Sequence, residues 1–210
     1  SILDLGCGDG RVGRALIDGT LPVPFAGRSG TYVGVDVSPH LLGARAGGDP
    51  PLDLRRADLS DPGWIAQAGL TGRRFDAILL FSVLHHIPSD DLRQRLLGEA
   101  AALLARDGAL AVSVWQFLHL ERFRRRIVPW SEIGIRECEV DPGDRLLDWR
   151  EGGRGLRYVH ELSPEELREL LSGAGLRVRD RFRSDGETGD LGLYVVAGRD
   201  PRPVSRSDPE

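Results

Sequence analysis

Glycines and an aspartate at the start of the chain are spaced in a way that suits a small ligand with one positive and one negative group. The loop Gly6-Cys7-Gly8-Asp9-Gly10 follows a short apolar segment and precedes an amphipathic stretch that predicts a helix. Glycines let the backbone turn tightly and approach a ligand closely, because they have no Cβ. The N–H groups at the helix start can bind a carboxylate, and Asp4, just before the loop, can pair with an ammonium group. These residues predict a site for a zwitterionic group.

Two further aspartates stand where the next two predicted strands end. Asp36 follows residues 32–35, and Asp58 follows residues 52–57. In a parallel sheet such strand ends meet at one edge, where ligands bind. Asp36 can accept hydrogen bonds from both ribose hydroxyls, and Asp58 can accept one from an adenine amino group; their alternatives are a helix cap and a loop residue. A zwitterion, a ribose and an adenine make up S-adenosylmethionine (SAM), which we predict as the cofactor.

A nicotinamide dinucleotide is the main alternative ligand for such a loop. Its fingerprint is G-x-G-x-x-G, whereas here glycines stand at positions 6, 8 and 10, and Arg11 takes the place of the final glycine. An acid at position 4 would also suit a pyrophosphate badly. Both points favour SAM over a dinucleotide.

These motifs resemble, in their order, those of class I SAM-dependent methyltransferases, and the loop after the fourth predicted strand looks like that of the methyltransferase-11 type. The matching segments are residues 2–10 (ILDLGCGDG), 33–36 (VGVD), 57–58 (AD), 75–76 (FD) and 81–88 (FSVLHHIP). The resemblance covers nearly the whole chain, and it implies a glycine loop at the methionine end of SAM and a sulfonium beside the fourth strand end. The residues assigned to the cofactor are Asp4, Gly6, Cys7, Gly8, Arg11, Asp36, Val37, Asp58, Leu59, Ser82 and Val83.

Two adjacent histidines, His85 and His86, follow the fourth predicted strand beside the expected methyl position. A histidine there could take a proton from an alcohol or amine acceptor, and we choose His85 as the catalytic residue. The alternative is a turn with one packed ring and one solvated ring. No further ligands can be assigned to these histidines, so we expect no metal site.

A later segment bears on the methyl acceptor. Residues 143–149 and 156–162 resemble the same region of the tRNA methyltransferases that esterify a carboxymethyl group on the wobble uridine. That resemblance implies that Arg157, Tyr158 and His160 meet the substrate. Arg157 would pair a carboxylate, which is ionised at neutral pH and needs no base. The family's C-terminal Asn-Trp-rich element is missing, and the alternative for the three residues is an amphipathic strand.

The predicted function is therefore a SAM-dependent methyltransferase acting on a carboxymethyl-type uridine in tRNA, a family that can use a small activating subunit as partner. One alternative is a small-molecule methyltransferase for a quinone or a secondary-metabolite precursor, and another is a SAM-binding protein without catalysis. A cluster of four arginines could bind phosphates through paired hydrogen bonds or form a solvated helix face. The cluster consists of Arg122, Arg124, Arg125 and Arg126.

Alternating strand and helix patterns must position these residues. They predict an α/β fold with a Rossmann-like, doubly wound sheet of seven strands. The sheet is mostly parallel, with the last strand antiparallel because no helix separates the last two strands. A small cap is expected after strand five, at residues 116–161, and the helix opening near Asp90 is predicted to end at Gly108. One methyltransferase domain would span residues 1–198, with a truncated N-terminus and a disordered tail at 199–210.

The composition of the chain limits the classes of function that it can have. The 210 residues are 40% hydrophobic and 29% charged, which is ordinary for a globular protein. The net charge of -4 argues against a strongly basic, non-specific nucleic-acid binder. No apolar run approaches the roughly 18 residues that a membrane span needs, so we expect no membrane partner. Only Cys7 and Cys138 are cysteines, which fits a reducing, cytoplasmic compartment.

Overall fold

The elements of the fold come from a computed structural model, which describes residues 1–20, 30–44, 51–149 and 155–200. The sequence also predicts a turn at residues 151–155, of which 151–154 lie outside the described residues, as does the predicted tail at 199–210 from residue 201 onward. The strands in the described part are β1 (Ile2–Leu5), β2 (Tyr32–Asp36), β3 (Asp53–Arg56), β4 (Phe75–Phe81), β5 (Leu104–Trp115), β6 (Ile127–Val128), β7 (Asp144–Trp149), β8 (Gly155–His160), β9 (Arg177–Ser184) and β10 (Gly192–Gly198).

Seven of these strands form one sheet in the order β3-β2-β1-β4-β5-β10-β9. Strands β1 to β5 pair in parallel, and β10 is antiparallel to both β5 and β9. The fold prediction, including the antiparallel last strand, is confirmed. The chain proceeds from β1 to one side through β2 and β3, and then to the other side through β4 and β5. The order therefore reverses between β1 and β4, where a doubly wound sheet opens a crevice at its carboxyl edge.

Two of the longer helices start at side chains that cap them. Ser89 accepts a hydrogen bond from the Leu92 N–H at the start of the fourth helix. Ser163 and Glu166 form a reciprocal capping box at the start of the sixth, which satisfies two backbone donors. The helices among the described residues are α1 (Arg11–Ile17), α2 (Pro39–Ala44), α3 (Trp64–Gln67), α4 (Asp90–Leu103), α5 (Glu121–Arg124) and α6 (Pro164–Gly173).

The end of α4 differs from the prediction, which placed it at Gly108. The helix ends at Leu103 and β5 begins at the next residue. Gly108 lies inside the strand, and a Cβ there would come within 3.0 Å of the Phe75 carbonyl oxygen and 3.1 Å of the Asp76 carbonyl oxygen. The glycine therefore marks a close approach of two backbones beside a register shift between β4 and β5, and not a helix end.

A smaller antiparallel sheet, β6-β7-β8, lies in the segment after β5. Strands β7 and β8 pair in antiparallel orientation, with Asp144 opposite His160. We refer to this sheet and α5 as the cap. The cap has a small core of its own, which contains Phe117, Phe123, Leu147 and Val159. The main core lies between the large sheet and helices α3, α4 and α6.

None of the helices in the described ranges is long and apolar enough to cross a membrane.

Candidate active site

A cavity of about 860 Å³ opens at the carboxyl ends of β1, β2 and β4, where the strand order reverses. This volume is in the range of roughly 300–1,000 Å³ that small-molecule sites occupy. The structure brings together at this cavity every residue that the sequence assigned to the cofactor. Those lining residues are Asp4, Gly6, Cys7, Gly8, Arg11, Asp36, Val37, Asp58, Leu59, Ser82 and Val83.

The glycine loop lies directly against β2 and the loop after β4. The N–H groups of Gly6 and Cys7 both donate to the Val35 carbonyl, at 2.7 and 3.0 Å. Gly6 has a φ of +74°, and an added Cβ would come within 2.2 Å of Val83 Cγ2. Gly8 has a φ of +58°, and an added Cβ there meets none of the described heavy atoms within 4 Å. Both glycines adopt a left-handed conformation, but only Gly6 is enclosed by protein.

These two glycines should therefore respond differently to alanine. Gly8→Ala should cost about 1–2 kcal/mol of stability, because a left-handed conformation strains a Cβ. Gly6→Ala should cost roughly 1–3 kcal/mol more, because the methyl group also overpacks against Val83. Urea unfolding of the two variants measures the difference. Equal losses of stability would show that Val83 moves aside without cost.

Asp4 is a buried acid at the end of β1, with 3% of its surface exposed. The Tyr32 hydroxyl donates to its Oδ2 at 2.7 Å. Burial raises the pKa of Asp4 to about 6, against the effect of the Tyr32 hydrogen bond, and the neighbouring charge of Asp36 adds to the rise. A carboxylate that is costly to ionise in this position would gain strongly from a cation, so Asp4 suits an ammonium group.

The raised pKa makes Asp4 a source of instability at neutral pH. The native state holds this proton more tightly than the unfolded chain, so the contribution to stability is present below the usual pKa of 3.8 and is lost as pH rises towards 6. Asp4→Asn removes the ionisation and keeps an acceptor for Tyr32. The variant should be about 2–3 kcal/mol more stable than the wild type at pH 7.5 without ligand, and equally stable near pH 4. Denaturant unfolding at both pH values is the test, and a gap that does not depend on pH would contradict it.

Asp36 is tied to the glycine loop. Its Oδ2 accepts from the Gly8 N–H and its Oδ1 accepts from the Ser38 N–H, each at 2.9 Å. Each carboxylate oxygen has a second lone pair, so both can still accept from a ligand. The next strand end is held differently, because Asp58 uses Oδ1 for both the backbone and the hydroxyl of Ser60. Oδ2 of Asp58 therefore stays available for an amino group.

The two histidines after β4 occupy different environments. His85 is fully buried, and it is not among the described residues that line the cavity. Its Nδ1 accepts from the Trp115 N–H at 3.3 Å, and burial, with His86 and Arg157 nearby, holds its pKa well below the usual value. A fully buried ring that does not line the cavity is poorly placed to meet a bound acceptor, so the position of His85 does not favour its choice as the catalytic residue.

His86 lines the cavity instead. Its Nδ1 lies 3.0 Å from the Tyr158 carbonyl oxygen, and a carbonyl can only accept, so Nδ1 carries a proton. Burial lowers the pKa of His86; the bond to Tyr158 opposes this effect, and Arg157 adds to it. The ring is therefore neutral at pH 7, with a lone pair on Nε2 that can accept a proton.

Aromatic side chains and an arginine form the side of the cavity nearest the cap. Trp115, at the end of β5, and Arg157, on β8, both line the cavity. The Trp115 ring stacks on His85 with centroids 5.0 Å apart. The Arg157 guanidinium lies 3.7 Å over the ring of Trp149. Trp115 was not predicted from the sequence, although it lies at the end of β5, a strand end like those of Asp36 and Asp58.

Tyr158 and His160, which the sequence placed at the substrate with Arg157, do not lie among the described residues that line the cavity. The Tyr158 hydroxyl donates to Asp144 at 2.6 Å. His160 contacts Asp144 through Nδ1 at 2.6 Å and Glu166 through Nε2 at 2.7 Å. Both side chains belong to a buried contact between the cap and the main domain, so they support the framework and not a ligand.

The arginine cluster is largely occupied by protein contacts. Arg122 pairs with Glu187 at 3.2 Å, and Arg125 pairs with Glu121 at 2.5 Å. Arg124 donates to the carbonyls of residues 118 and 119. These contacts favour a solvated helix face over a phosphate-binding site.

The residues at the cavity fit SAM by the chemistry of their groups. Asp4 offers a buried carboxylate to an ammonium, Gly8 leaves open space beside it, and Asp36 and Asp58 offer acceptors to hydroxyls and an amino group. Val37, which is 52% exposed, and Leu41 supply apolar surface near Asp58 for a flat base. Within the described ranges, no three His, Cys, Asp or Glu side chains form a group that could hold a metal ion.

Comparisons with known proteins identify the family of the chain. The model of the methyltransferase domain family matches residues 3–110, just over half of the chain. A candidate methyltransferase of Encephalitozoon cuniculi is 28% identical over 180 residues, which span 85% of this chain and 71% of that protein.

Solved structures share the fold. A SAM-dependent methyltransferase of Clostridium acetobutylicum superposes with a TM-score of 0.67 at 13% identity, covering 95% of this chain and 84% of the other. A complex of DhpI with SAM and HEP gives a TM-score of 0.61 at 21% identity, covering 96% and 78%. Because the family model matches more than half of the chain, including β1 to β4 and the loops that follow them, the chain belongs to the methyltransferase domain family, with SAM as its cofactor.

Proposed function

We propose that this methyltransferase methylates a hydroxyl or amino group of an anionic small molecule, with His86 as the base. The observation that carries the proposal is the bond from His86 Nδ1–H to the Tyr158 carbonyl, which leaves Nε2 of a cavity-lining ring as the proton acceptor. A base of this kind is needed for an alcohol or amine acceptor. A carboxylate acceptor would not need one.

The charges along the cavity support one orientation for SAM. Asp4 would pair with its ammonium, the loop at Gly6 and Gly8 would hold its carboxylate, and Asp36 would accept from its ribose hydroxyls. Asp58 would accept from the adenine amino group. The sulfonium would then lie near Ser82 and Val83, in the cavity that His86 also lines.

The acceptor then occupies the cap side of the cavity. Trp115 provides an apolar face for a planar acceptor, and Arg157 provides a positive charge for its anionic group. The guanidinium is stacked on Trp149, which fixes its plane, and arginine binds carboxylate or phosphate through paired hydrogen bonds. Arg157 would therefore orient the acceptor and His86 would meet its nucleophilic group.

When bound, SAM supplies a methyl group whose bond to sulfur breaks as the bond to the acceptor forms. The protein's part is to hold the acceptor in line and to exclude water. His86 Nε2 takes the proton that the acceptor hydroxyl or amine loses, and the low pKa of His86 keeps that nitrogen free of a proton at neutral pH.

Methylation of a carboxymethyl group on a tRNA uridine is the second candidate. The position of Arg157 at the cavity favours it, because a carboxylate acceptor could pair with that guanidinium. Tyr158 and His160 give it no support, since both bond to Asp144. The charge of -4 also disfavours a polyanionic substrate, so we rank it below the small molecule.

The acceptor class can be tested with SAM labelled in its methyl group. We expect transfer to phenols or alcohols that also carry a carboxylate or phosphate, and none to bulk tRNA with or without carboxymethyl-uridine. A base-labile label in tRNA would support the second candidate and overturn the first. SAM binding without transfer to either class would identify a SAM-binding protein without catalysis.

Arg157→Gln should change the specificity for the charge of the acceptor. The loss of one charge-assisted contact, about 1.5–3 kcal/mol, should raise KM for the anionic acceptor by roughly 10–100-fold. KM for an uncharged ester of the same acceptor should change little. Arg179→Gln, on the outer strand β9, is the matched control. If the variant lost affinity for both acceptors equally, Arg157 would have no part in charge recognition.

A further inference from the structure

A chain of buried polar groups joins the cap to the two helices beneath it. Arg93 of α4 donates to the Tyr158 hydroxyl at 3.2 Å, and that hydroxyl donates to Asp144 at 2.6 Å. Asp144 also contacts His160, whose second ring nitrogen lies 2.7 Å from Glu166 of α6. We call these five side chains the cap network. Three belong to the cap and two to the main domain, so the network fastens the cap at two points.

Three members of the cap network are shielded from solvent. Arg93 is fully buried, His160 is 3% exposed and Asp144 is 6% exposed. Polar groups this deep are costly to separate from their partners, because water does not readily replace the lost hydrogen bonds. The network therefore holds β7 and β8 firmly in position over α4 and α6.

The same tyrosine touches the proposed base from its other side. The phenol of Tyr158 is anchored in the cap network. The backbone carbonyl of the same residue accepts a hydrogen bond from Nδ1–H of His86, at 3.0 Å. Adjacent side chains of a strand point to opposite faces, so this anchoring also holds Arg157 on the face that lines the cavity. The bond crosses 72 residues of sequence and joins the cap to the turn after β4.

We propose that Tyr158 is a positioning residue, which holds its carbonyl at His86 and so keeps that ring in the Nδ1–H tautomer. The proposal rests on the proposed function of His86 as the base. The tautomer of a neutral histidine is set by the hydrogen bond that one ring nitrogen makes. Without such a bond the neutral side chain favours the Nε2–H form. In that form Nε2 already carries a proton, so it cannot take one from the acceptor.

Tyr158→Phe tests this proposal, because it removes only the hydroxyl that anchors the ring. Nitrogen chemical shifts of His86 at pH 7.5, from ¹⁵N-histidine labelling of the whole chain, report the tautomer directly. We expect Nδ1–H in the wild type and a mixture with Nε2–H in the variant. The kcat should fall by about tenfold, part of the effect of a general base, while KM for SAM stays unchanged. Tyr194→Phe, which removes a hydroxyl bonded to Asp185, is the matched control.

Asp144→Asn is a second variant, since it weakens the anchor of the same phenol without touching Tyr158. It should shift the tautomer in the same direction, and thermal unfolding identifies any sample that is not folded. A wild-type ring in the Nε2–H form, or an unchanged tautomer in both variants, overturns the proposal. The tautomer is read without an acceptor, so a failure to find methyl transfer would count against the proposed function and not against this inference.

Discussion

Asp36→Asn should weaken SAM binding by about 100-fold or more, while the protein stays folded. Two ribose hydroxyls donating to a carboxylate contribute about 1.5–3 kcal/mol each, and a loss of about 3 kcal/mol corresponds to roughly 100-fold in Kd. Asparagine keeps one acceptor oxygen, but its NH₂ group would face either the Gly8 N–H or the Ser38 N–H, which both donate to Asp36. The amide therefore disturbs the glycine loop as well as the ribose site.

Calorimetric titration with SAM, combined with thermal unfolding, separates these effects. The loss of one partly buried acceptor should lower stability by about 1–3 kcal/mol, which is too little to unfold a typical domain. Asp180→Asn is the matched control, because Asp180 is exposed on the outer strand β9, where its carboxylate bonds to the Arg181 N–H. A Kd for Asp36→Asn close to that of the wild type would remove the ribose assignment.

The cofactor side of the site could be predicted because its signals are local. Each signal spans about ten residues or fewer, either a strand with the glycine loop after it or a strand with the acid at its end, and parallel strands bring their carboxyl ends to one edge without further information. That is why Asp4, Asp36 and Asp58 all line the cavity. The parallel direction of β1 to β5 follows from the same alternation of strands and helices.

The acceptor side could not be predicted in this way, because it depends on contacts between distant segments. His85 and His86 are neighbours in one short turn, but of the two only His86 lines the cavity, and a carbonyl 72 residues away accepts a hydrogen bond from its Nδ1–H. Strand geometry also limits a motif such as Arg157-Tyr158-x-His160. Alternate side chains share a face, so Tyr158 and His160 point together towards Asp144 while Arg157 lines the cavity.

The boundary of α4 was mispredicted for a related reason. Gly108 looked like a helix end because glycine often follows a helix. The carbonyls of Phe75 and Asp76, from a different strand, explain that glycine better. A single sequence indicates that a glycine is needed without showing which neighbour requires it.

His86→Gln should lower kcat by about 100-fold or more, since general base catalysis contributes roughly 10²–10⁴-fold. The Kd for SAM should stay within about threefold, because the proposed cofactor contacts lie elsewhere in the cavity. The wild-type rate should also fall as pH drops below the lowered pKa of His86, since a protonated ring cannot act as a base, and the variant should lose this acid limb.

The informative comparison is His85→Gln. That ring is fully buried and bonded to the Trp115 N–H, so its replacement should cost stability, about 1–3 kcal/mol, with a much smaller effect on kcat. Steady-state kinetics and unfolding of both variants, at a pH where both rings are neutral, decide between the two histidines. A large loss of kcat in His85→Gln with none in His86→Gln would restore the choice made from sequence. A small loss in both would favour an acceptor that is already ionised, and with it the tRNA carboxymethyl group that Arg157 could pair.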